Sequence, residues 1–172
     1  IHSDKQFLEP ASTNVRKYHI FIVDKDKNSV EETIKAFKSE FYKFSECIKN
    51  KDVIASLKKE KPDLLLLEVD LNETDGMELC WDIRMDETLS KLPIAFYSNR
   101  SDDFTQIAAF DAGADEFISK TSRSRLLRNR IKALLRRSYL HQETAKEIKK
   151  FGNLEIDLEQ VVIFKKGEPL KL

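Results

Sequence analysis

Residues 62–79 read PDLLLLEVDLNETDGMEL, and the fold turns on them. Pro62-Asp63 breaks whatever precedes it, and Leu64 to Val69 is a continuous apolar run interrupted only by Glu68. A strand with one wet face would alternate apolar and polar residues. A run without alternation fits a parallel strand covered by helices on both faces. The loop at 70–76 ends in Gly76, and Met77, Cys80 and Ile83 then recur at helical spacing. Strand, loop and helix form one βα unit.

The same unit recurs on either side. Upstream, residues 19–23 (HIFIV) read as a buried strand. Ser29-Val30-Glu31-Glu32 has the Ser-x-x-Glu form of a capping box, which predicts a helix opening there with Val30, Ile34, Phe37 and Phe41 on one face. Residues 44–48 (FSECI) give a short strand, followed by a brief helix carrying Val53, Ile54 and Leu57. Downstream, 93–98 (PIAFYS) is a strand and 103–112 a helix closed by Gly113. Residues 116–119 form a fifth strand, and a long helix from Ser122 to Tyr139 turns Leu127, Ile131, Leu134 and Leu135 inward. Five strands alternating with five helices predict an α/β domain built on a doubly wound, five-stranded parallel sheet.

Composition narrows the function. Lys+Arg and Asp+Glu are each 30, so the formal net charge is zero and the simplest argument for nucleic-acid binding falls away. A local basic stripe remains compatible with that balance. Cys47 and Cys80 lack CxxC spacing and read as small core residues in a reducing cytosol. No apolar run is long enough to span a membrane and no signal peptide is visible, so the expectation is a soluble, cytoplasmic chain without membrane partners.

In doubly wound sheets the ligand site lies beyond the carboxyl ends of the strands. The residues there are Asp24, Lys25 and Asp26 after the first strand, Glu68 and Asp70 around the third, Ser98 after the fourth and Lys120 after the fifth. Acids, a hydroxyl and lysines converge on one crevice.

This layout resembles the receiver domain of OmpR/PhoB-family two-component response regulators. "FIVDKDK", "PDLLLLEVDLNETDGMEL", "PIAFYSNR" and "AFDAGADEFISK" follow one another in the family's order, and "GADEFISK" before a helix ending "IKALLRR" is close to that subfamily. The resemblance covers residues 18–140 and implies a flavodoxin-like receiver fold. In the family the phosphoacceptor aspartate stands eight residues before the Gly of the "DG" pair; here that position is Glu68. The second metal-holding acid of the first strand is replaced by Lys25. A side chain one methylene longer displaces the attacking oxygen by about 1 Å, enough to cost about a hundredfold in an in-line transfer. Mg²⁺ binding is therefore expected to be weak or absent, with no resident cofactor or metal and no enzymatic activity.

The altered pocket suggests Lys120 paired with Glu68, Lys25 standing in for the missing cation, and Glu68 reaching part-way towards the switch hydroxyl of Ser98. Phe117 matches the family's aromatic switch. The Lys-Pro step after the fifth strand is Lys120-Thr121 here, so the loop is expected to differ. Two alternatives stay open at this point: Asp70 as acceptor in a still-phosphorylatable regulator, and Asp26 as a metal ligand. From other classes come a flavodoxin-like ligand-binding module, against which the first loop lacks a phosphate cradle, and a pure protein-binding module.

The resemblance also implies a homodimer through the fourth helix, fifth strand and fifth helix. Glu116 would pair with Arg130 and Asp115 with Arg137 across the two-fold axis. A third family pair falls on Gln106 and Leu126, exchanging charge for apolar area. A sensor kinase is a possible partner.

Residues 1–17 read as a flexible extension or cloning remnant, 141–150 as a polar linker, and 151–172 as a small antiparallel β segment with a turn at Lys166-Gly167. The last resembles the amino-terminal sheet of the OmpR-type winged-helix domain. DNA would be read by a recognition helix that follows that sheet in the family and is missing from these residues.

Overall fold

The computed structural model describes residues 17–38, 41–48 and 52–144, together with four short strands between 148 and 169; side-chain surroundings are described as far as Tyr139. The reading of residues 1–16 and the turn at Lys166-Gly167 lie outside the described residues.

The elements alternate as expected. They run β1 Tyr18–Val23, α1 Lys27–Phe37, β2 Tyr42–Cys47, α2 Val53–Glu60, β3 Leu64–Leu67, α3 Gly76–Met85, β4 Ile94–Ser98, α4 Asp103–Asp111, β5 Glu116–Ser119 and α5 Ser124–Thr144. All strand pairings in this sheet are parallel, in the order β2-β1-β3-β4-β5. Leu64 to Leu67 are all buried at its centre. Their side chains alternate between two cores, as the two-residue period of a strand requires. Leu65 and Leu67 face the layer of α2, α3 and α4 with Leu57, Cys80, Ile83 and Ala109. Leu64 and Leu66 face the layer of α1 and α5 with Val30, Phe37, Leu127 and Ile131. This double covering explains the unbroken leucine run.

Several boundaries differ from the sequence reading, β2 by two residues at its start and α5 by two at its own, and three of them matter here. Helix α1 opens two residues before Ser29, capped by Asp26, whose carboxylate accepts from the Asn28 N–H at 2.9 Å. The helix ends at Phe37 with Lys38 left-handed, so Phe41 is not on its face and is largely exposed. Helix α5 continues past Tyr139 to Thr144, and Ile148–Phe151 is a strand, so both occupy parts of the expected linker. That strand, β6, pairs antiparallel with β7 Leu154–Asp157, which pairs with β8 Val162–Lys165, and β9 Glu168–Pro169 closes a separate four-stranded sheet. Among the described residues no helix is long and apolar enough to cross a membrane.

Candidate functional site

Strand register builds the site. Val23 pairs with Leu67, so the next residues, Asp24 and Glu68, emerge side by side at the carboxyl edge of the sheet. Leu67 pairs with Phe96, and Ser98 with Ser119, which brings Ser98 and Lys120 to the same rim. Asp24 is 4% exposed and Glu68 6%, and two carboxylates so deeply buried need a counter-charge.

Lys120 supplies it. Its ammonium lies 2.7 Å from Asp24 Oδ2 and 2.5 Å from Glu68 Oε2. The other oxygens are engaged too. Asp24 Oδ1 accepts from the Asp26 N–H at 2.9 Å, and Oδ2 also accepts from the Ser29 hydroxyl at 2.8 Å. Glu68 Oε1 accepts from the Val69 N–H at 2.7 Å, with the Asp70 N–H further off at 3.4 Å. Burial alone would lower the Lys120 pKa, but hydrogen bonds to Asp24 and Glu68, with their negative charge, outweigh it and raise the pKa above the usual lysine value. The ammonium also sits 5.8 Å from the centre of the Tyr97 ring.

The neighbouring residues fall into two groups. Ser98 is buried at the rim, with its Oγ accepting from the Arg100 N–H at 3.1 Å. Glu68 makes no hydrogen bond to it, since the glutamate's two oxygens are held by the Val69 amide and by Lys120. Lys25 does not join the cluster either. It is exposed, in the bend between β1 and α1, and its side chain makes no ion pair among the described residues. The cation in the crevice is Lys120. Asp26 spends its carboxylate on capping α1. Asp70 lies beyond the cluster, half-exposed and paired with Arg100 at 3.0 Å. Phe117 is buried and stacks on Phe96 with ring centres 6.1 Å apart. The bond between Lys120 and Thr121 is trans, and the Ser119 and Thr121 hydroxyls lie 2.8 Å apart beside it.

Sequence reasoning missed Ser29 as a partner of Asp24, and it missed Arg84. From α3, Arg84 donates to the Gly113 carbonyl at 2.8 Å, to Leu92 at 2.7 Å and to Ser90 at 3.2 Å, and pairs with Asp115 at 2.9 Å. Asp115 also accepts from the Ile94 N–H at 2.8 Å. Within a single chain, then, Asp115 fastens α3 to the start of β4 and β5. Glu116 meets Arg130 in the same chain at 3.0 Å. Arg137 is exposed. Beside them α4 leaves Phe104, Ile107 and Phe110 exposed at three-residue spacing, with Leu126 of α5 next to Arg130's helix turn. No charge pattern announces Arg84, since its partners are mostly main-chain carbonyls.

A family model for the response regulator receiver domain matches residues 20–132. The chain belongs to that family. It is 35% identical over 121 residues to the transcriptional regulatory protein AfsQ1 of Streptomyces coelicolor, covering 70% of this chain and 51% of that protein. It is 28% identical over 165 residues to the transcriptional regulator ycf27 of Cyanidium caldarium, covering 92% of this chain and 65% of that one. The chain thus spans about half to two-thirds of the length of these relatives. Among solved structures, the response regulator DrrB of Thermotoga maritima, an OmpR/PhoB homolog, superimposes with a TM-score of 0.61 at 25% identity, covering 91% of this chain and 67% of that one. A response regulator from Chloroflexus aurantiacus superimposes with a TM-score of 0.67 at 26% identity, covering 70% of this chain and 99% of that one. The receiver fold places Asp24, Glu68, Ser98 and Lys120 at the strand ends where part of the sequence reading looked for them.

Proposed function

We propose that this receiver is the regulatory and dimerisation module of an OmpR/PhoB-type DNA-binding transcriptional regulator, and that its state is set without phosphorylation. The observation that carries the reading is the single Lys120 ammonium spanning Asp24 and Glu68, at 2.7 Å and 2.5 Å. An acceptor has to present a carboxylate oxygen in line with the leaving group. Glu68, where the family has aspartate, is one methylene longer, and its two oxygens are held by the Val69 N–H and by Lys120.

Magnesium fits this donor set poorly. Mg²⁺ demands near-octahedral oxygen ligation, usually through one or two carboxylates. Here both carboxylates are already held by an ammonium, and the adjacent position is Lys25 rather than an acid. Asp70, the rival acceptor, is committed to Arg100 outside the crevice. The module is read as a non-enzymatic one.

The α4-β5-α5 face suits a second copy of the chain. Phe104 is 86% and Ile107 58% exposed, which in a monomer leaves apolar area in water to no benefit. Surface ion pairs contribute little, so this apolar stripe would supply most of the affinity, with Glu116, Arg130 and Arg137 setting the register. The four-stranded antiparallel sheet after α5 supports the start of a winged-helix domain, through which the protein would reach DNA. A sensor kinase is not required by this reading.

The test is association state by sedimentation, for wild type and for the double variant Lys25→Asp, Glu68→Asp, each with and without Mg²⁺ and a small phosphodonor. Wild type is expected to be dimeric throughout, and the repaired variant to dimerise only when phosphorylated. A wild type that is monomeric until phosphodonor is added overturns the reading.

A further inference from the structure

Charge is segregated along this chain: seven acids and no Arg or Lys lie between Lys61 and Arg84, and the basic counterpart lies on α5. Between Lys120 and Glu143 the sequence holds seven Arg or Lys residues and no Asp or Glu, in a protein whose net charge is zero. Helices α1 and α3 mix signs, with Glu31, Glu32 and Lys35 on one and Glu78, Asp82 and Arg84 on the other, while α4 carries only Asp103 and Asp111. Helix α5 carries six Arg or Lys residues and a single acid, Glu143, in its last turn.

Folding accounts for some of these cations. Arg128 donates to the Ala36 carbonyl at 2.6 Å and ties α5 to α1. Arg130 pairs with Glu116 on the flank towards β5. Of the other five, Arg123 precedes the helix and Arg137 follows Arg130 on the flank towards β5, which leaves Arg125, Lys132 and Arg136. All three are exposed, and with the exposed Asn129 they follow one another at steps of four, three and four residues, on the face opposite the buried Leu127, Ile131, Leu134 and Leu135. At 1.5 Å per residue the stripe runs for about 16 Å. None of the three has an acidic partner among the described residues. Like charges at Lys132 and Arg136, one turn apart, cost the isolated helix a few tenths of a kcal/mol.

We infer that this face of α5 is a nucleic-acid contact, laying Arg125, Lys132 and Arg136 along the phosphate backbone of duplex DNA. A row of exposed cations with no acid among them is complementary to a regularly spaced polyanion. Each phosphate neutralised releases condensed counterions, which gives affinity without sequence preference and a steep dependence on salt. The choice of DNA over another polyanion rests on the DNA-binding regulator reading above. The stripe is separate from the apolar α4 face and from Glu116 and Arg130, so one helix can serve a dimer and DNA together. The receiver then adds to DNA affinity directly as well as through any domain attached to it.

The test measures binding of the chain to a fluorescently labelled duplex of arbitrary sequence between about 50 and about 150 mM salt. Wild type is compared with Arg125→Gln/Lys132→Gln/Arg136→Gln and with a control of equal charge change on the opposite helical layer and its loops, Lys59→Gln/Lys61→Gln/Lys91→Gln. Three phosphate contacts predict that the stripe variant's plot of log affinity against log salt is shallower by about 2.7, a loss of about twentyfold in the salt response across that range. The control is expected to keep the wild-type slope. Unchanged thermal melting of the stripe variant confirms that it is folded. A stripe variant that binds with the wild-type slope overturns the inference while leaving the regulator reading intact. Wild type that ignores duplex at 50 mM salt, or is competed off equally well by polyglutamate of matched charge, overturns the assignment to DNA.

Discussion

Lys120 and Glu68 meet at 2.5 Å although they leave strands that are not neighbours: β4 lies between β3 and β5, and the lysine crosses above it. It reaches Asp24 beyond β1 as well. Two buried carboxylates thus depend on one cation. Lys120→Met is expected to destabilise the receiver by about 3–5 kcal/mol, the usual cost of leaving buried charge uncompensated. Adding Glu68→Gln should recover a large part of that loss. The pH sign follows from the raised Lys120 pKa. Its contribution is fully present below the unfolded lysine value of 10.5 and is lost as pH rises through the higher folded value. Urea denaturation in this alkaline window should show a falling limb in wild type that Lys120→Met lacks.

Gly76 shapes the loop that carries Glu68. Its N–H donates to the Val69 carbonyl at 2.8 Å, and a Cβ there would fall on the Glu68 carbonyl oxygen and lie 3.0 Å from that of Val69. Gly76→Ala therefore forces main chain apart rather than a flexible side chain. A loss of about 1–3 kcal/mol is expected in thermal or chemical denaturation.

At the opposite end of the sheet, His19 Nε2 lies 2.8 Å from the Ser45 hydroxyl, which donates in turn to Glu60. Burial, reinforced by Lys43, lowers the His19 pKa below 6.5, while Glu60 and Asp63 only partly oppose it. The unfolded chain therefore binds a proton more readily than the folded one. Stability should fall as pH drops from about 7 through the histidine range, and His19→Gln should flatten that slope. Melting temperatures at closely spaced pH values check this.

For the α4 face, Ile107→Glu is expected to weaken self-association at least tenfold in sedimentation equilibrium with little change in melting temperature, because Ile107 is exposed in the single chain. Asp115→Asn should instead lower thermal stability, since Asp115 is tied to Arg84 and to the Ile94 amide.

The sheet was legible because a short apolar run bounded by Pro62 and the loop before Gly76 recurs in alternation with helical patterns, and a parallel strand covered on both faces fits it, as Leu64 to Leu67 show. The rim was legible in part, since strand ends can be counted. The pairing of Lys120 with Glu68 was legible in this way, but the same reading also put Lys25 to use in the crevice, whereas it is exposed in the bend after β1. Position at a strand end does not by itself tell which lysine turns in. The start of α1 was misread for a related reason. Ser29 has the sequence form of a cap, but its hydroxyl donates to Asp24 at 2.8 Å, a contact that exists only once β1 has placed that carboxylate. Arg84 and Asp115 meet across 31 residues of chain, beyond the reach of any local pattern.

The most direct measurement is the intact mass of the wild-type chain after incubation with Mg²⁺ and a small phosphodonor, followed by peptide mapping. The account predicts an unmodified chain, while the Lys25→Asp, Glu68→Asp variant takes up one phosphoryl group at residue 68. A stable phosphoryl adduct on wild-type Glu68, Asp24 or Asp70 would contradict it.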